Sequence, residues 1–158
     1  MSGYKMEFYQ AMLQAVKQTF ENMAFVEVTE QAAECELQTP AEMAWASILI
    51  HDPQQGEVRL ALPRTLLVEL TAGMFGIEAD EVTGEQQDDI LAELLNTLAG
   101  LFMTNLLPDD QAYQLGLPEH GEGEFSAADE VSVTWNLQVE QNPLILVASG
   151  ASLVDEAK

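Results

Sequence analysis

The stretch TGEQQDDILAELLNTLAGLFMTNLLP, residues 83–108, constrains this chain more than any other part of it. Ile90, Leu91, Leu94, Leu95, Leu98, Leu101, Phe102 and Leu106 recur at the three- and four-residue spacing of one helix face. Thr83 stands where an N-cap belongs, acidic residues occupy the first turn, and the pattern stops before Pro108. A helix this long and this leucine-rich on one side must bury that side, which requires a broad apolar surface to lie against.

The remaining runs supply one. YKMEFYQAMLQAVKQTFENM reads as a second long helix, with Phe8, Met12, Ala15, Val16, Phe20 and Met23 at helical spacing. Three strand-like runs follow at residues 25–38, 42–51 and 56–63, the last two joined by HDPQQG, where Pro53 and Gly56 supply the bends. RTLLVELTAGMFG predicts a shorter helix ending at Gly76, and LPEHGEGEFSAADE a polar loop. Two closing strands, VSVTWNLQVE and NPLILVASGA, meet at the hairpin turn EQNP. A long helix followed by antiparallel strands thus occurs twice. The expected class is α+β, an antiparallel sheet with two long helices packed on one face, as a single domain over residues 1–158.

Charge narrows the function. Five basic residues against 27 acidic ones give a formal net charge of −22. Such a surface repels phosphate backbones and anionic membranes, so neither nucleic acid nor membrane is expected as a partner. No apolar run approaches the ~20 residues of a membrane span, and the N-terminal stretch lacks the apolar block of a secretory signal. A cytoplasmic location is the expectation. Cys35 reads as a strand thiol, and His51 and His120 lack companions at metal-ligand spacing, so no metal site of the chain's own is expected.

The polar side of the long helix is where chemistry enters. On a wheel at ~100° per residue, Asp89, Glu93, Asn96 and Gly100 fall within a ~60° stripe opposite the leucines. A plain solvated face explains the carboxylates. It does not explain the asparagine, a poor helix former, or the glycine, which costs ~1 kcal/mol in a helix interior. Glu93 and Asn96, at i and i+3, point the same way and can act on one object. An amide cannot abstract a proton, but it can donate one hydrogen bond and accept another, which suits holding a water molecule in line for attack. Glu93 suits pairing with a lysine of a docked partner, and Gly100 leaves room for another molecule's backbone. By chance alone this composition yields about 0.6 E-x-x-N matches, so the spacing is informative only with its placement on the helix.

At these residues the sequence resembles the CheC/CheX/FliY family of chemotaxis phosphatases, its single-site CheX-like branch above all. The resemblance rests on Asp89, Glu93 and Asn96 on a long helix, on Pro118 in LGLPEHG some twenty residues further, on TFENMAFVEV closing the first helix, and on the order of elements. It implies a phosphatase that hydrolyses the phospho-aspartate of a CheY-type response regulator. Asn96 would orient the attacking water, Glu93 would contact a receiver lysine, and Asp89 and Gly100 would support them. The family resemblance further implies no cofactor of the protein's own, with Mg²⁺ carried by the receiver, and a homodimer joined through the sheet. Two-site members carry the pattern on both long helices. Here the first helix offers only Glu7 and Gln10, so one site is expected. The alternative is a non-catalytic receiver-binding or flagellar-switch module of the same fold. A third reading, an acidic assembly protein using its sheet edge, predicts a silent stripe.

Overall fold

The architecture comes from a computed structural model, which describes residues 6–30, 43–52, 55–122, 131–150 and 153–154. Cys35 and most of the first strand-like run lie outside them. Among the described residues three α-helices, α1 (Phe8–Ala24), α2 (Arg64–Phe75) and α3 (Gly84–Leu106), accompany seven strands: β1 (Val28–Glu30), β2 (Met43–Asp52), β3 (Gly56–Pro63), β4 (Gln114–Leu115), β5 (Glu119–Glu122), β6 (Ser132–Val139) and β7 (Asn142–Ser149). The strands form one antiparallel sheet in the order β1-β6-β7-β3-β2-β4, with β5 also pairing to β2.

Alternation along the strands sorts the sheet into two faces. Ala46, Leu60, Leu146 and Trp135 lie in one cross-strand row. With Ala44, Ile48, Ile50, Val58, Leu62, Leu137 and Leu144 they make the inner face, packed against Phe8, Met12, Val16 and Phe20 of α1, Leu66, Leu67 and Leu70 of α2, and the leucines of α3. The two long helices lie together on this face: Phe8 meets Phe102 edge-on at 5.3 Å, and the Asn105 side-chain amide donates to the Ala11 carbonyl at 3.1 Å. On the outer face Met43, Ala61, Ile145 and Val147 form a smaller apolar cluster beside Trp45.

Helix ends fall where the punctuation put them. Thr83 Oγ1 accepts from the Gln86 N–H at 3.1 Å while Gln86 Oε1 accepts from the Thr83 N–H at 2.9 Å, a reciprocal capping box. Gly76 closes α2 in the left-handed region, φ 68°.

Two short strands, β4 and β5, differ from the sequence reading. The start of the expected polar loop, Glu119–Glu122, is an edge strand, in register with Ala44–Ser47 of β2. Its residues lack strand-like composition; pairing to a long neighbour decides it. Gly121 makes that pairing feasible, because it faces Trp45 across the ladder and a β-carbon there would run into the indole ring. The other half of the loop lies outside the described residues.

Candidate functional site

α3 is oriented by what it buries. Ile90, Leu91, Leu94, Leu95, Leu98, Ala99, Phe102, Met103 and Leu106 are buried, and burying that arc leaves the opposite one no choice but solvent. Asp89, Glu93 and Asn96 are all exposed, Gly100 is half-exposed, and Thr104 extends the same line by one more turn. The four residues read from the sequence are therefore brought together on one open face, as the wheel predicts. Glu93 and Asn96 sit about 4.5 Å apart along the helix axis.

The side chains of Asp89, Glu93 and Asn96 make no hydrogen bond or ion pair with any described residue. A carboxylate and a carboxamide without internal partners, on a rigid helix anchored by leucines, keep their full bonding capacity for something that docks. Glu7 and Gln10 of α1 make a different picture. The Glu7 carboxylate accepts from the Tyr9 and Gln10 N–H groups at 3.3 and 3.0 Å, so it caps α1.

Two structures flank the stripe. Toward the N-terminal end, β5 reaches α3 through His120, whose Nδ1 lies 3.7 Å from Asp88 Oδ1; Arg64 Nη1 lies 3.8 Å from the same oxygen and donates to Gln87 Oε1 at 3.0 Å. Pro118 is half-buried and immediately precedes that strand. Toward the C-terminal end, Tyr113 lies across the helix. Its hydroxyl donates to the Gly100 carbonyl at 3.2 Å, and with that proton engaged the Thr104 hydroxyl donates to the phenolic oxygen at 3.3 Å.

Sequence reasoning missed Tyr113. It follows Pro108 in an irregular segment, 13 residues from Gly100, and no periodicity links the two. A lone exposed aromatic after a helix stop was the only available signal. Asp88 was missed as well, because the wheel places it beside the stripe and its partners, His120 of the unrecognised β5 and Arg64 of α2, come from elsewhere in the chain.

Among the described residues no three His, Cys, Asp or Glu side chains group as a metal site, and no helix is long and apolar enough to cross a membrane.

An open antiparallel sheet, helices layered on one face, and a leucine-anchored helix presenting a carboxylate and an amide to solvent define an α+β scaffold with one open polar helix face. A family model described as chemotaxis phosphatase CheX matches residues 44–133, more than half of the chain, and the chain belongs to that family. No curated protein matches the sequence significantly. Among solved structures, the chemotaxis protein CheX from Vibrio vulnificus shares the fold at a TM-score of 0.75 and 16% identity, over 90% of this chain and 95% of that one. The CheX of a CheX–CheY–BeF3–Mg²⁺ complex from Borrelia burgdorferi aligns at a TM-score of 0.66 and 14% identity, covering 92% and 98%. A FliM middle domain from Vibrio alginolyticus aligns at 0.61 and 12%, covering 94% of each.

Proposed function

We propose that this chain hydrolyses the phospho-aspartate of a CheY-type response regulator, with Asn96 orienting the attacking water and Glu93 docking the receiver. The observation that carries the reading is the exposed, unengaged Glu93–Asn96 pair on a rigid helix. Family membership supplies the reaction class, and the Borrelia complex, in which a CheX and a CheY occur with BeF3 and Mg²⁺, supports the partner.

The division of labour follows from the side chains. The Asn96 amide oxygen accepts a hydrogen bond from water, and its N–H₂ donates to an oxygen across the reacting centre, which holds the water in line with the phosphorus. The water oxygen bonds to phosphorus as the bond to the receiver's aspartyl oxygen breaks; that carboxylate leaves with the electron pair, and the water's proton passes to the departing phosphate. Alignment supplies most of the acceleration such a transfer needs. Glu93, one turn away on the same face, pairs with a cationic side chain of the receiver and fixes the register of insertion. Asp89 extends the acidic approach, and Gly100 leaves the far side open. Mg²⁺ in this reading comes with the receiver, where it would neutralise phosphoryl charge. A homodimer through the sheet belongs to the same reading, and a solution mass measurement tests it.

The test is the lifetime of the phosphate on a panel of purified receivers from the same cell, with and without this protein. Asn96→Ala is expected to lower the stimulated rate on the order of 10²-fold or more, about 3 kcal/mol, without loss of fold. An Asn96→Ala protein as active as wild type removes the mechanism.

The fold is shared with a FliM middle domain, and the second reading is a receiver-binding or flagellar-switch module that docks without turnover. Binding that leaves the phosphate lifetime unchanged would select it.

A further inference from the structure

Gly100 is unexplained by the packing around it. In a helix interior a glycine is tolerated at a cost, and the usual compensation is a neighbour that needs the space. Among the described residues, and apart from the adjoining residues and the backbone of α3 itself, the only atom within 4 Å of where a Gly100 β-carbon would stand is the Tyr113 hydroxyl oxygen, at 3.6 Å. That is ordinary van der Waals contact, which alanine would satisfy. Nothing among the described residues requires the glycine, so the space is available to an outside object.

The same tyrosine bounds that space. Its hydroxyl is fixed by two hydrogen bonds, to the Gly100 carbonyl and to Thr104, while the residue remains 37% exposed. Gly100 follows Asn96 by about one helical turn, roughly 6 Å along the axis. The result is a short notch along α3: the Asn96 amide at one end, bare helix backbone as its floor, and a tethered phenol at the other. Tyrosine at the rim of a contact surface offers a rigid, amphipathic area at low entropic cost.

We propose that Tyr113 is a docking residue of the receiver site: the notch takes a main-chain segment of the phosphorylated receiver, and the phenol is the wall against which it rests. This deepens the reading above and rests on it for the identity of the occupant. Tyr113 touches the partner without touching the reacting atoms. It therefore acts on capture of the receiver and leaves the chemical step to Asn96.

Two measurements test it: steady-state dephosphorylation over a range of phospho-receiver concentrations, and the affinity for the same receiver carrying beryllium fluoride in place of phosphate. Tyr113→Ala is expected to weaken the affinity and raise KM about tenfold, the size typical of a truncated tyrosine contact. Its kcat should stay within about twofold, the signature of lost binding without lost transition-state contacts. Tyr113→Phe, which keeps the ring and loses both tethers, should show about a threefold weakening. It carries the test should the alanine variant lose its cooperative melt. Unchanged affinity and KM in a folded variant, or a fall in kcat alone, overturns the assignment while leaving the phosphatase reading in place. Wild-type protein that binds without hydrolysing, with binding weakened by Tyr113→Ala, upholds the docking role and overturns catalysis. Wild-type protein that neither binds nor hydrolyses any receiver overturns both.

Discussion

α1 and α3 lie side by side on the same sheet face, are both amphipathic, and both carry a glutamate with an amide three residues on. Only position along the helix separates their use. Glu7 precedes the first turn of α1, where orphan backbone N–H groups must find acceptors, and it is spent on them. Its neighbours are committed as well: the Tyr9 hydroxyl donates to Glu30 at 3.2 Å, the Tyr9 ring stacks on Trp135 at 5.3 Å, and the Trp135 indole N–H donates to the Tyr9 carbonyl at 3.1 Å. Glu93 and Asn96 sit mid-helix, where the backbone is already satisfied, and their side chains remain open to a visitor. The same residue types serve stability at a helix end and are available for docking in a helix middle.

The largest effect that tests this contrast comes from truncating each amide. Asn96→Ala should cost on the order of 10²-fold in receiver dephosphorylation, whereas Gln10→Ala should leave it unchanged. Equal losses at both positions would mean that α1 carries a second site.

Truncating the glutamates should separate activity from stability. Glu93→Ala is expected to weaken receiver affinity roughly tenfold, about 1.4 kcal/mol, with no change in thermal midpoint. Glu7→Ala should do the reverse, costing about 1 kcal/mol of stability through the lost cap, which calorimetry reads as about 2–4 °C in a chain of this size. A Glu7 variant with an unchanged midpoint would remove the capping argument.

Gly100→Ala sharpens the comparison from the other side. The folded protein has room for the methyl group, so the variant should gain up to ~1 kcal/mol in chemical denaturation while docking the receiver less well. A gain in both properties would deny the notch any role.

The smallest effect is alkaline. Burial, then the hydrogen bond to Glu30, then the charges of Glu30 and Glu7 raise the Tyr9 hydroxyl above its ordinary pKa of 10.0. The folded state thus holds this proton more tightly than the unfolded chain. The associated stability is fully present below about pH 10 and is lost as pH rises through the higher folded value. Denaturation followed from neutral pH upward should show Tyr9→Phe losing stability less steeply than wild type beyond that point. Parallel slopes would count against the Glu30 contact.

Much of this was legible in the chain itself. Period and punctuation located all three helices, the β2–β3 and β6–β7 hairpins, and the four-residue stripe, because each depends on neighbours within a turn or a ladder pair. The Asp89, Glu93 and Asn96 part of the resemblance to the phosphatase family lies on a single helix, so spacing along the sequence was enough to find it, and Pro118, TFENMAFVEV and the order of elements completed it. β4 and β5 were not legible: two and four residues of weak strand character are strands only because the long edge of β2 offers them unpaired hydrogen-bonding groups.

What the sequence determined by itself was a helix with a buried face and an open one, since the placement of leucines dictates which side meets water. What tertiary structure decided was the surroundings of that open face: the His120–Asp88 approach of β5 at one end and the tethered Tyr113 at the other. Those contacts join residues distant in sequence, whose meeting depends on how the chain between them packs, and no local pattern encodes it.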